Sequence, residues 1–215
     1  MKLKWILLGL VFLFCIEASF AAKKKKVVRK KNNTTVKATQ KSPGTPAFRY
    51  TQLPLCKNTY QFPAWNLAIV KDFVFPSGVK APANYRLACI NEAKLNDYLS
   101  YVPYDFEKAE KKMIQIPLYI NGSLICRDYR IVRVQTMDTA LQAKYPKLMS
   151  FKAYDPANPL NTARIECDEN FTKMSVSEEG QTYFVQPYRF RNITFYACYG
   201  KNDPNFKKED FEVSN

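Results

Sequence analysis

Ile114-Gln115-Ile116-Pro117-Leu118-Tyr119-Ile120-Asn121-Gly122-Ser123-Leu124-Ile125-Cys126 is the stretch on which the reading of this chain turns. Two apolar runs flank Asn121-Gly122, a dipeptide that tolerates the paired positive φ angles of a two-residue hairpin turn. Ile114 to Ile120 and Leu124 to Gln135 therefore read as antiparallel strands. Downstream, Thr162–Cys167, Lys173–Val176, Thr182–Gln186 and Tyr188–Tyr199 are further strand candidates, with Glu179-Gly180 as a turn between two of them.

Upstream the period changes. Leu95, Tyr98, Leu99 and Val102 recur at helical spacing behind Asn91, whose side chain suits a helix N-cap. Asp105 reads as the cap of a short helix over Phe106–Lys112, and Asp138 as the cap of another over Thr139–Tyr145, stopped by Pro146. The expectation is an α+β fold: an antiparallel sheet with a few short helices in one disulfide-stapled domain over residues 48–200, then a polar tail over 201–215.

The N-terminus has a different character. Lys2 and Lys4, the twelve-residue run Trp5–Ile16 and the small residues of Ser19-Phe20-Ala21 form the three parts of a secretory signal peptide over residues 1–21. The expected location is secreted or periplasmic. Residues 22–47 follow as a basic arm and linker in which Lys23, Lys24, Lys25, Lys26, Arg29, Lys30, Lys31, Lys37 and Lys41 have no acid between them. Like charges repel and bury nothing, so this arm is expected to be disordered. Residues 42–215 carry 22 Lys+Arg against 18 Asp+Glu, so most of the formal +14 belongs to the N-terminal arm. Lys23, Lys24, Lys25, Lys26, Arg29, Lys30 and Lys31 are the candidate anion-binding residues, with an anionic polymer or membrane surface as partner. Nucleic acid is a weaker match, because an exported chain would have to re-enter a cell to meet it.

Beyond the signal, Cys56, Cys89, Cys126, Cys167 and Cys198 are the disulfide candidates, and the sequence does not choose among their pairings. Five cysteines in an oxidising compartment suggest two disulfides and one free thiol, which could also link two chains. None forms a CxxC pair, and no metal site is expected.

The chain has no histidine. That excludes histidine-based triads, imidazole general bases and histidine metal sites. Catalysis would be left to carboxylates, Ser-Lys dyads or a lone thiolate. The nearest carboxylate groupings are Asp105 with Glu107 or Glu110, and Glu166 with Asp168 or Glu169. No phosphate-cradling glycine loop occurs and no cofactor is expected. A candidate ligand surface is formed by Arg127, Arg133, Tyr188, Arg189 and Arg191, since arginine beside aromatic rings holds carboxylates, phosphates or sugars. On a continuous strand Arg189 and Arg191 would face together. The triplets at Asn32, Asn33, Asn121, Asn170 and Asn192 match the N-glycan acceptor pattern. The functional expectation is an exported binding protein rather than an enzyme, its arm engaging an anionic envelope or extracellular surface. A carboxylate-dependent hydrolase and a secreted effector or inhibitor of a protein target are the alternatives.

Overall fold

The computed structural model describes residues 34–37, 48–57, 62–105, 107–109, 112–168 and 170–207. Residues 1–21, expected to be a signal peptide, and Lys23–Lys31 lie outside them. The described chain is almost entirely antiparallel β, which overturns the expected α+β class. The strands are β1 (Thr34–Lys37), β2 (Arg49–Pro54), β3 (Asn66–Ile69), β4 (Arg86–Cys89), β5 (Met113–Ile120), β6 (Ser123–Val134), β7 (Met149–Tyr154), β8 (Thr162–Cys167), β9 (Thr172–Glu178), β10 (Gln181–Phe190) and β11 (Ile193–Gly200). Only two helices interrupt them, α1 (Glu92–Ser100) and α2 (Thr139–Lys144). Asn91 and Asp138 cap these two, accepting from the Lys94 and Leu141 amides at 3.0 and 2.8 Å. Among the described residues Asp105 caps no helix. Its carboxylate accepts from the Glu107 amide at 2.9 Å, and residues 107–109 form a turn.

All strands join one sheet in the order β1-β2-β3-β4-β11-β10-β9-β8-β7-β6-β5. After β4, α1 carries the chain to the far edge, where β5 begins an up-and-down meander that ends with β11 docked on β4. The sheet curls into a half-barrel. Alternation decides which face turns inward. Ala163, Ile165 and Cys167 of β8, and Met174 and Val176 of β9, are buried while their neighbours are open to solvent or only half-buried. Ile114, Ile116 and Leu118 of β5 meet Val185, Tyr196 and Cys198 in the same core. The central strands β4 and β11 are buried on both faces. Leu87, Cys89, Phe195, Ala197 and Tyr199 pack into a second cluster under the 70–85 loop, which contributes Phe73, Phe75 and Tyr85. Asp203 pins that loop, its carboxylate accepting from the Ala83 and Asn84 amides at 2.8 and 2.6 Å.

The hairpin turns are of the two-residue type with paired positive φ. Asn121-Gly122 (49° and 81°) and Glu179-Gly180 (51° and 75°) fall where the sequence reading puts them. Tyr188–Tyr199 is not one strand. Arg191 and Asn192, at φ 48° and 61°, make a third such turn between β10 and β11. Asn121, Asn170 and Asn192 are all exposed. Among the described residues no helix is long and apolar enough to cross a membrane.

The free edge of β5 is closed by side chains. The Lys112 carbonyl bonds back to β6, so the backbone groups of Met113, Gln115 and Pro117 point away from it. Trp65 Nε1 donates to the Gln115 carbonyl at 2.7 Å and the Tyr98 hydroxyl to the Met113 carbonyl at 2.6 Å. Pro117 has no N–H to offer on that side. Cys56 and Cys126 form a disulfide across a sequence separation of 70, tying the segment before Trp65 to β6. Cys89, Cys167 and Cys198 are free and buried.

Two substitutions test this framework by urea unfolding. Trp65→Phe keeps an aromatic ring but removes the buried indole N–H bond to the Gln115 carbonyl, and is expected to cost about 1–3 kcal/mol. Replacing Cys56 and Cys126 by Ala frees the loop they close, at an expected cost of about 4 kcal/mol on the chain-entropy estimate.

Candidate functional site

An open groove of about 1210 Å3 lies between α1, the ends of β2 to β4 and the start of β11. The helix supplies one wall because Lys94, Asp97, Tyr98 and Tyr101 recur every three or four residues. Their opposite neighbours, Leu95 and Leu99, are fully buried and hold that wall against the core. The other wall is built by Tyr50 and Gln52 of β2, Phe62, and Asn66 at the start of β3. Ile193 and Thr194 close one end.

The groove is lined with polar side chains set among aromatic rings. Gln52 Nε2 donates to the Tyr50 hydroxyl at 2.7 Å. Phe62 meets Tyr98 edge to face at 5.2 Å, and Lys112 Nζ lies 5.5 Å from the same ring's centroid. Tyr101 is 70% exposed. Lys94, Asp97 and Lys112 have no ion-pair partner among the described residues. Burial raises the Tyr98 and Tyr50 hydroxyls above their ordinary value, more than the Gln52 bond lowers Tyr50. Both therefore stay neutral hydrogen-bonding groups through the physiological range. Cys89 also lines the groove, but burial pushes its thiol up to about 12. A thiol held that high is not a nucleophile.

The residues of the sequence-predicted ligand surface are not brought together. Arg127 Nε pairs with Glu178 Oε1 at 2.8 Å, and the Tyr129 hydroxyl donates to Oε2 at 3.0 Å. This buried carboxylate links β6 to β9 across the curled sheet, with two strands between them in the order. Arg133 lies over the Tyr104 ring at 4.9 Å. Tyr188 is in the second core, edge to face with Phe75 at 4.9 Å. Arg189 is exposed on β10. Arg191 does not share its face, because it sits in the turn with its guanidinium over Phe48 and Phe190 at 5.0 and 5.4 Å. The candidate carboxylates are likewise engaged elsewhere. Asp105 pairs with Lys108 at 3.8 Å, Glu166 with Arg164 at 2.8 Å, and Asp168 accepts from the Asn170 and Phe171 amides. Glu110 and Glu169 lie outside the described residues. Among the described residues Asp97 is the one acid lining the groove. No group of three His, Cys, Asp or Glu among the described residues could hold a metal ion.

Comparison of the chain with protein-family models, with curated proteins and with solved structures finds no match. Functional argument therefore rests on this geometry.

The buried thiols make a direct test. Cys89 moves from 9.0 to about 12 and Cys167 to about 11, both mainly through burial. The folded state thus holds these protons more tightly than the unfolded chain, and the associated stability is whole below pH 9 and lost as pH rises toward 12. The unfolding midpoint is expected to fall over that window. A thiol reagent at pH 8 should label the native domain slowly and label Cys89, Cys167 and Cys198 promptly in denaturant.

Proposed function

We propose that this chain is an exported binding protein whose folded domain takes its ligand in the groove and whose basic arm adds electrostatic retention on an anionic surface. The observation that carries this reading is the open groove itself. It presents aromatic rings, amides and two ammonium groups without an ion-pair partner among the described residues, a lining suited to holding a ligand by many weak contacts. The arm argument is independent and comes from charge. Seven cations between Lys23 and Lys31 near an anionic bilayer contribute on the order of 1 kcal/mol each, fading within a Debye length. The proposed location is outside the cytoplasm, following cleavage after Ala21.

Thr34, in β1, is the register partner of Gln52, which lines the groove. A test of the arm should therefore leave residues from Thr34 onward intact. Replacing the seven cations of Lys23–Lys31 by Gln is expected to lower retention on vesicles of anionic and zwitterionic phospholipid by about 100-fold or more at low salt. Retention of the unaltered chain should fall steeply as salt rises. Unchanged retention after neutralisation would refute the role of the arm. N-terminal sequencing of exported protein is expected to begin at Ala22.

A further inference from the structure

We infer that the ligand of the groove is a short run of an acidic polysaccharide, an inference that rests on the groove being the binding site proposed above. Size is the first argument. A volume of about 1210 Å3 exceeds the usual range for small-molecule pockets, and an open trough of that size fits a segment of polymer.

Backbone geometry then separates polymer classes. An extended peptide gains much of its affinity by adding a strand to an open sheet edge. Among the described residues neither edge strand, β1 or β5, lines the groove. β2 is already paired on its outer side by β1, with Thr34 opposite Gln52 and Val36 opposite Tyr50. β3, β4 and β11 each have strand neighbours on both sides, although the β4–β11 pairing stops at Ala88 and Tyr196, short of the groove-lining Ile193 and Thr194. At the sheet's other edge, the outward Met113 and Gln115 carbonyls are held by Tyr98 and Trp65. Strand addition is therefore not the mode the groove offers, and recognition falls mainly to side chains.

Those side chains match a sugar. Gln52 and Asn66 each carry a donor and an acceptor on one amide, the pairing that vicinal hydroxyls satisfy. The exposed Tyr101 ring offers an apolar face for the C–H side of a pyranose. Among the described lining residues Lys94 and Lys112 supply two cations against one acid, Asp97, so an acid group on the ligand is favoured. Uronate carboxylate and sulfate ester both meet that requirement.

The test uses the chain from Ala22 with Lys23–Lys31 neutralised to Gln, so that the arm does not obscure the groove. It is titrated by calorimetry with polygalacturonate, dextran sulfate, neutral dextran and polyglutamate. Binding is expected to one or both acidic polysaccharides, with neutral dextran and polyglutamate at least about tenfold weaker, and the two acidic polymers identify the acid group. Tyr101→Ala and Lys94→Gln, both at exposed positions, are each expected to weaken it by about tenfold with the urea midpoint unchanged. Equal affinity for polyglutamate would show charge alone at work, and equal affinity for neutral dextran would remove the acid requirement. Either result overturns the inference, as does absence of binding or indifference to both groove substitutions. The role of the arm stands or falls separately, on the vesicle retention of the neutralised chain.

Discussion

The Trp65 indole N–H bonded to the Gln115 carbonyl is the contact on which the rest of the fold depends. An antiparallel sheet with one buried face must either close or end in a strand with unpaired backbone groups, and an unpaired buried carbonyl is costly. Here the last strand folds over the inner face and finds side-chain donors in place of another ladder. Trp65 also accepts from the Leu55 and Cys56 amides and packs edge to face on Tyr196 at 5.1 Å. One residue thus joins the first hairpin, the central strand and the edge strand, each from a different third of the chain.

That arrangement also places the groove. The chain leaves β4 on one side of the sheet and must reach β5 on the other, and α1 lies along this crossing. The helix buries Leu95 and Leu99 and leaves its Lys94–Tyr101 face open. The Tyr98 hydroxyl that caps the β5 edge belongs to the groove wall as well. Closing the half-barrel and building the site are therefore partly the same event.

Legibility in the sequence followed the range of the interaction. Asn121-Gly122, Glu179-Gly180, Asn91 and Asp138 were readable because turn and cap chemistry is local. β3 and β4 are four residues each, too short for alternation to show, and exist because neighbouring strands complete their hydrogen bonds. Arg191-Asn192 concealed a turn because neither residue is glycine, and a continuous strand was read through it. The groove was half visible. The spacing of Lys94, Asp97 and Tyr101 on a helix was accessible, but residues as distant as Tyr50 and Thr194 meet there only through the sheet order. The expected arginine surface dispersed because sequence proximity does not say which residues enter a turn or a salt bridge.

If the chain is exported as proposed, the connectivity of the disulfide has a consequence for biogenesis. Cys56 pairs with Cys126, and Cys89 lies between them in the chain. A chain delivered N-terminus first into an oxidising space exposes Cys56 and Cys89 together before Cys126 arrives. The earliest bridge available is then the wrong one, and it joins a cysteine of the second core to the segment that should be tied to β6. Correct maturation requires either that oxidation wait for the strands to assemble or that thiol exchange undo the first pairing before Cys89 is buried.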